Sequence, residues 1–482
     1  MKTQSLFVLL LLLPIVIKAQ FITYPIVDTH VHVFTSNNAV ISQPQGGSAF
    51  SGQDASYQGN EPAYNNNGDS TVTDLVTGLM WQKNMGVKLT YSDALNKADT
   101  MTLGGYTDWR IPTIKELFSL ADYSGRIQGM TVINKFIDTN YFDQPIGDTT
   151  IGERTIDAQT WSLTHYTGLT MNGDSTLFGM NFIDGRIKGY PKYQPGSGNS
   201  IPKTMYFRMV RGNAQYGINR FYNNGDGTIT DSATGLMWQQ NDDGIARDWE
   251  NALAYAENST LANYSDWRLP NIKELHSIVD YTRSPSATNS PAIDPIFGVS
   301  SINDPNGNPG HYPYFWSSTT LQDGINPTAA AAYIAFGKAY GKMNGNLLDT
   351  HGAGAMRSDP KSGLAANYPQ YFGPQGDALI VFNHVRCVRN SSVVQGINEG
   401  NQVHDGFMLL QNDFTKQLTI INTKAIKNFS VGIYSITGQK LNMLNVGDTD
   451  RVTVSFTGFK TGIYFVKISA TNYSIVKKFI VK

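Results

Sequence analysis

The 482-residue chain has a single cysteine, Cys387. One thiol closes no intramolecular bridge, so a disulfide-stapled fold is excluded and packing must supply the stability. Charged residues are sparse, at 16%, against about 25% in ordinary soluble domains. The 40% hydrophobic and 11% aromatic content nevertheless excludes a disordered polymer. After Ile17 no apolar run reaches the roughly 18 residues a membrane-spanning helix needs, so no transmembrane segment is expected. No Ser-His-Asp arrangement or carboxylate pair can be singled out, and no catalytic residues are assigned.

The first residues, "MKTQSLFVLLLLLPIVIKAQ", combine Lys2, an apolar run from Leu6 to Ile17 and Ala19 ahead of Gln20. That pattern predicts a signal peptide over 1–19 and an exported protein. The net charge of −1 hides an asymmetry: from Leu409 onward nine Lys and one Arg face three Asp, and the body between residues 21 and 408 carries −10. A body of that sign does not attract nucleic acid or sulfated polymers over long range. With 46 Gly, 25 Tyr, 23 Phe and 7 Trp, the composition fits a loop-rich extracellular fold anchored by aromatics.

The chain repeats itself. "NNNGDSTVTDLVTGLMWQKN" (65–84) returns as "YNNGDGTITDSATGLMWQQN" (222–241), and "YTDWRIPTIKELFSLADYS" (106–124) as "YSDWRLPNIKELHSIVDYT" (264–282). Trp81 and Trp238 are 157 residues apart, Trp109 and Trp267 158. "WSLT" (161–164) pairs with "WSST" (316–319), and "FRMVRG" (207–212) with "VRCVRN" (385–390). The interval from Arg208 to Arg386 is 178, so the second copy carries about 23 extra residues, placed with the Gly- and Pro-rich stretch 349–377. Each copy reads as a hairpin turn, a "TGLMWQ" strand and two helices, from Ser92 to Asp99 or Trp249 to Glu257, then from Thr113 or Asn271 with capping-box spacing to Glu116 or Glu274. The fold class expected is α+β: two such modules, then an all-β sandwich.

The ordered motifs "NNGDGTITD", "TGLMWQ", "DWRLPNIKEL", "WSST" and "VRCVR", each present twice over about 60–390, resemble the Lcl C-terminal domain family. That family is similar to the C-type-lectin-like superfold shared with formylglycine-generating enzymes, and its named member is a surface adhesin domain that binds glycosaminoglycans. The resemblance implies tandem C-type-lectin-like modules and adhesin-like binding. In the family a cysteine often follows the "YPIVDT" lead-in and can pair with that of the final strand; here Phe34 stands in that neighbourhood. The tail, with "FSVGIYSITGQKL", "GFKTGIYFVKI" and "KKFIVK", resembles the type IX secretion sorting domain, a seven-stranded sandwich. It implies type IX machinery as a partner and export through the outer membrane of a Gram-negative bacterium. The expected organisation is a signal at 1–19, a first module at 20–212, a second at 213–392, a linker at 393–408 and the sorting domain at 409–482.

"DTHVHVF" places His30 and His32 in alternation, as in a metallohydrolase strand. Such a barrel needs about eight strand-helix units and further ligands, so the pair is read as an edge strand. Asp226 and Asp231 flank a glycine turn and are the candidate calcium ligands, calcium being the candidate ion. Trp109, Arg110, Trp267, Arg268, Arg386 and Arg389 are assigned structural roles as core anchors and chain ties. Asp349, His351, Arg357 and Asp359 on the glycine-rich stretch, with Lys361 beside them and Trp316, are the candidate ligand-binding set. The function expected is recognition of a neutral or calcium-bridged glycan or another cell-surface ligand, chiefly by the second module. The alternatives are a metal-dependent or formylglycine-related enzyme using His30, His32 and His351, and a structural surface protein acting through protein contacts. Paired-cysteine copper chemistry is closed to a chain with Cys387 alone.

Overall fold

The computed structural model describes residues 22–194, 197–391, 407–412, 416–422, 426–435, 438–447, 449, 451–470 and 473–481. The expected signal peptide and residues 393–406 of the expected linker lie outside the described residues. No helix among the described residues is long and apolar enough to cross a membrane. Residues 22–391 form one compact unit and the C-terminal residues belong to another.

The two copies begin alike. Tyr64–Asn66, Thr71–Asp74 and Leu79–Gln82 form an antiparallel meander that the last strand of the copy, Val210–Gly212, completes. In the second copy Phe221–Asn223, Thr228–Asp231, Leu236–Gln239 and Val388–Asn390 do the same, Val388 facing Trp238 as Val210 faces Trp81. Among the described residues, four short α-helices follow the sequence signals. α1 (Tyr91–Thr100) is capped by Thr90, α2 (Ile114–Ser119) by a Thr113/Glu116 capping box, α3 (Trp249–Glu257) by Asp248 and α4 (Ile272–Ser277) by an Asn271/Glu274 capping box.

The Trp-Arg motif ahead of each capping box is a local lock. The indole of Trp109 donates to Leu103 O at 3.1 Å and that of Trp267 to Leu261 O at 3.0 Å. The Arg268 guanidinium forks onto both Glu274 oxygens at 2.6 Å, Arg110 pairs likewise with Glu116, and each glutamate also accepts its N-cap N–H. Arg389 of the closing strand pairs with Asp266 at 2.6 and 3.0 Å and lies 3.8 Å from the Tyr264 ring; Arg211, Asp108 and Tyr106 repeat this. Arg386, fully buried, donates to the carbonyls of Gln239, Gln240 and Gly298.

The copies then merge. Tyr314–Thr320, Ala330–Ala335 and Met356–Pro360 of the second copy and Arg186–Pro191, Thr176–Asn181 and Thr160–His165 of the first form one six-stranded antiparallel sheet, in that order. The join is the Ile187–Met356 pair with a Gly189 N–H to His351 O bond of 2.8 Å. α2 packs on the first copy's strands, α4 on the second's, and the two helices touch. One apolar core with Trp81, Phe118, Trp238, Trp249, Trp267 and Trp316 runs through both copies, and a smaller cluster surrounds Trp109 and Trp161. Burial of aromatics this large is the dominant stabilising term.

Among the described residues the chain is mostly β, with these short helices and a few 3-10 turns, so the α+β class expected is strongly weighted to β. Two local expectations also change. Residues 349–361 are not an exposed loop: Met356–Pro360 is an inner strand of the shared sheet, and Gly354 at φ +98° lets the chain turn where a side chain would strike Tyr281. The material peculiar to the second copy is a small four-stranded sheet of Tyr340–Met343, Asn346–Asp349, Tyr371–Phe372 and Asp377–Ala378. His30 and His32 lie outside any strand, His30 at φ +63°.

The C-terminal unit pairs a three-stranded sheet (Phe407–Asn412, Gln417–Asn422, Arg451–Ser455) with a four-stranded one (Lys440–Val446, Phe429–Ser435, Gly462–Ala470, Tyr473–Val481). Its core holds Phe407, Leu418, Ile420, Phe429, Val466, Ile468 and Phe479 on alternating positions. The first strand starts at Phe407, two residues inside the expected linker.

Candidate functional site

The stretch from 349 to 361 is largely interior, and its charged side chains are tied to neighbouring elements. Asp349 accepts from Tyr166 of the first copy at 2.6 Å and from the N–H groups of Ala339 and Gly352 at 3.1 and 3.0 Å; burial pushes its carboxyl up to about 6. His351, 1% exposed, sits 2.5 Å from Asp377, and burial holds its imidazole well below the usual range, hence neutral. Arg357 pairs with the other oxygen of Asp377, so this one carboxylate fastens the extra sheet to the shared one.

Asp359 and Lys361 shape something nearer the surface. Asp359, pushed up to about 7 by burial, accepts from Asn383 at 3.1 Å, and the Asn383 backbone pairs in both directions with Arg247 at 2.9 Å. Lys361 O accepts from the Trp249 N–H at 3.0 Å, and its ammonium lies 4.0 Å from the Trp249 ring. Trp316, fully buried, donates its indole N–H to Arg247 O at 2.8 Å. Trp316, Asp359 and Lys361 therefore fix Arg247 and the start of α3 from beneath.

Above them lies an open groove of about 540 Å³, lined by Arg247, Asp248, Asn251, Tyr255, Asn258 and Phe382. Arg247 pairs with Asp243 and lies 4.0 Å from the Tyr255 ring. Tyr255 O accepts from Gln239, leaving its hydroxyl proton for another acceptor. Asn251 and Asn258 are exposed, and the Phe382 ring is 43% exposed, an apolar face at the rim. The groove can thus offer amide and phenol hydrogen bonds beside an aromatic face. In the first copy Leu89 pairs with Met205 where Arg247 pairs with Asn383, so Lys97 stands at the Tyr255 position and Thr204 at that of Phe382. None of the groove residues stood out in the sequence; the signal was this divergence between copies inside an otherwise repeated frame.

At the glycine turn, Asp226 accepts from Thr228 N and Oγ1 at 3.0 and 2.6 Å. Asp231 is fully buried and takes four donors, Arg220 N, Ala233 N, Asn219 Nδ2 and Thr234 Oγ1, at 2.8 to 3.0 Å. A calcium ion there would compete with the two donors on whichever oxygen it took. Asp69 and Asp74 make equivalent turns in the first copy. Cys387 is buried and its thiol pushed up to about 12, mainly by desolvation, which keeps it protonated and unreactive.

Comparison with known proteins agrees with the repeat. The chain matches the Lcl C-terminal domain over residues 70–210 and 227–352, more than half its length, and a secretion system C-terminal sorting domain over 412–482. No curated protein matches it. A solved structure of a DUF3244 family protein with an immunoglobulin-like β-sandwich fold from Bacteroides vulgatus is similar at 14% identity, over 17% of this chain and 88% of its own, with a TM-score of 0.15. The protein belongs to the Lcl C-terminal domain family, in tandem, and its type IX sorting domain directs it out through the outer membrane.

Proposed function

We propose that this exported protein is an adhesin-like binding protein that takes a neutral glycan in the α3 groove of its second copy. Each copy is read as a C-type-lectin-like module, supported by its two capped helices and by the closing strand that returns to the first meander. The observation carrying the reading is the groove itself: it is open and shallow, with amides at Asn251 and Asn258, the Tyr255 hydroxyl and the exposed Phe382 ring around one space. A pyranose presents hydroxyls at its edge and C–H groups on its faces, which such a surface complements. The cation of Arg247 is already paired with Asp243, and the body is acidic, which disfavours a sulfated ligand. Of the candidate residues, Asp359, Lys361 and Trp316 enter as supports of the groove, while Asp349, His351 and Arg357 tie the extra sheet and the first copy to the shared sheet.

The test is a glycan array with the full chain, followed by calorimetry on the best binder. Tyr255→Ala and Phe382→Ala are each expected to weaken binding by about tenfold, the size of one lost stacking or hydrogen-bonding contact. Raising salt from about 0.05 to about 0.5 M is expected to change affinity less than about twofold. Binding untouched by both substitutions would overturn the reading.

A further inference from the structure

Independently of the groove, we propose a transition-metal site at His30, His32 and Glu61. One donor atom from each of these residues lies within 4.8 Å of the others, and this is the group of three metal-capable side chains found among the described residues. It includes neither His351 nor the calcium candidates Asp226 and Asp231.

The backbone brings the three together through a specific set of contacts. Asp28 anchors both sides: its Oδ1 accepts the His30 N–H at 2.8 Å and its Oδ2 the Gly59 N–H at 2.7 Å. The Asp28 N–H donates to Asn60 O at 2.7 Å, and Asn60 Nδ2 to Ile26 O at 2.8 Å. Residue 59 has to be glycine, because a Cβ there would collide with the Asp28 carboxylate. Glu61 is thereby carried up to the histidines, and His30 takes its left-handed conformation with φ at +63°. That conformation is unusual for a residue with a side chain and is held by the Asp28 bond.

A second feature prepares His30 as a ligand. Its Nδ1 lies 3.1 Å from Oδ2 of Asp122, whose side chain is only 14% exposed. A carboxylate on one ring nitrogen fixes the tautomer and turns the lone pair of Nε2 outward, as in the outer shell of metal-bound histidines. The His30 and His32 rings, 5.0 Å apart at 87°, are free to converge on one point. Tetrahedral donors around zinc stand about 3.4 Å apart, and His32 and Glu61, both exposed, can close that difference by rotamer change. Two imidazoles and one carboxylate select zinc or a similar borderline ion over calcium or magnesium. Three protein donors leave a coordination position for water, and His30 also lines a cavity of about 340 Å³ with Tyr64, Asp122, Asp138 and Tyr141.

The test is calorimetric titration of zinc into the full chain, produced without a histidine tag and stripped with chelator. One zinc per chain is expected, with affinity lowered at least about tenfold in His32→Ala and in Glu61→Gln, and by about tenfold in Asp122→Asn, the usual cost of losing an outer-shell partner. Unchanged unfolding midpoints of the metal-free variants show that the fold is intact. Absence of stoichiometric zinc binding in the parent, or parental affinity in either His32→Ala or Glu61→Gln, overturns the proposal.

Discussion

Ser70 and Gly227 hold the same place in the two copies of one turn, and both are left-handed, at φ +70° and +87°. A side chain in that region costs about 1–2 kcal/mol, of which glycine's extra freedom in the unfolded chain returns roughly half. Ser70→Gly is therefore expected to stabilise the protein by about 0.5–1 kcal/mol, read as a higher urea midpoint at unchanged slope. Asp54 makes a prediction of opposite character. It is buried, accepts hydroxyls from Thr29 and Thr319 at 2.8 and 2.5 Å, and desolvation pushes its carboxyl up to about 7. An acid raised in the folded state contributes its stability fully below its unfolded value near 4 and loses it as pH rises to about 7. The parent should lose stability against Asp54→Asn between pH 4 and 7 and run parallel to it above; parallel curves throughout would show that Asp54 does not titrate there. Such residues were illegible in the sequence because their partners are remote: Thr319 is 265 residues from Asp54, and Tyr166 is 183 from Asp349. The polar string at 349–361 looked like a ligand loop for the same reason.

The elements read correctly from the sequence are those whose signals are local. The second helix of each copy starts where a capping residue and a glutamate three positions on supply the first-turn hydrogen bonds, and the first where Thr90 or Asp248 caps it. The strand Met356–Pro360 was missed because its neighbours, Ala330–Ala335 and Arg186–Pro191, come from two different copies and no local period announces them. The groove was missed because it is the outer face of an ordinary capped helix. The capping glutamates permit a paired test of how burial sets the cost of a broken lock. Arg268 is 10% exposed in its side chain and Arg110 35%. Glu274→Ala strands a buried guanidinium and should cost about 3–5 kcal/mol. Glu116→Ala leaves one that water reaches and should cost about 1–2 kcal/mol, mostly the cap itself. Urea unfolding of both variants decides the order; equal losses would mean that the capping bonds, not the buried charge, carry the energy.

At the scale of the molecule, a repeat in sequence has not produced two independent bodies. Each copy alone would expose an edge of the shared sheet, Arg186–Pro191 in one and Met356–Pro360 in the other, and would open the core where α2 meets α4. Unpaired edges and exposed apolar faces of this kind favour aggregation over folding. Tyr166 to Asp349, Lys273 to the carbonyls of Asp28 and Ser119, and Lys115 to Ser277 O add buried polar ties between regions far apart in the chain. Within this fused frame the copies differ at the groove, Lys97 and Thr204 of the first standing where the second has Tyr255 and Phe382, while strands of both copies form the shared sheet. Residues 22–391 are accordingly expected to unfold in one calorimetric transition whose van't Hoff and calorimetric enthalpies agree. Residues 213–391 expressed alone are expected to show no cooperative transition. Two separable transitions, or a second copy that melts cooperatively by itself, would mean that the Ile187–Met356 join is a contact between finished domains rather than the middle of one fold.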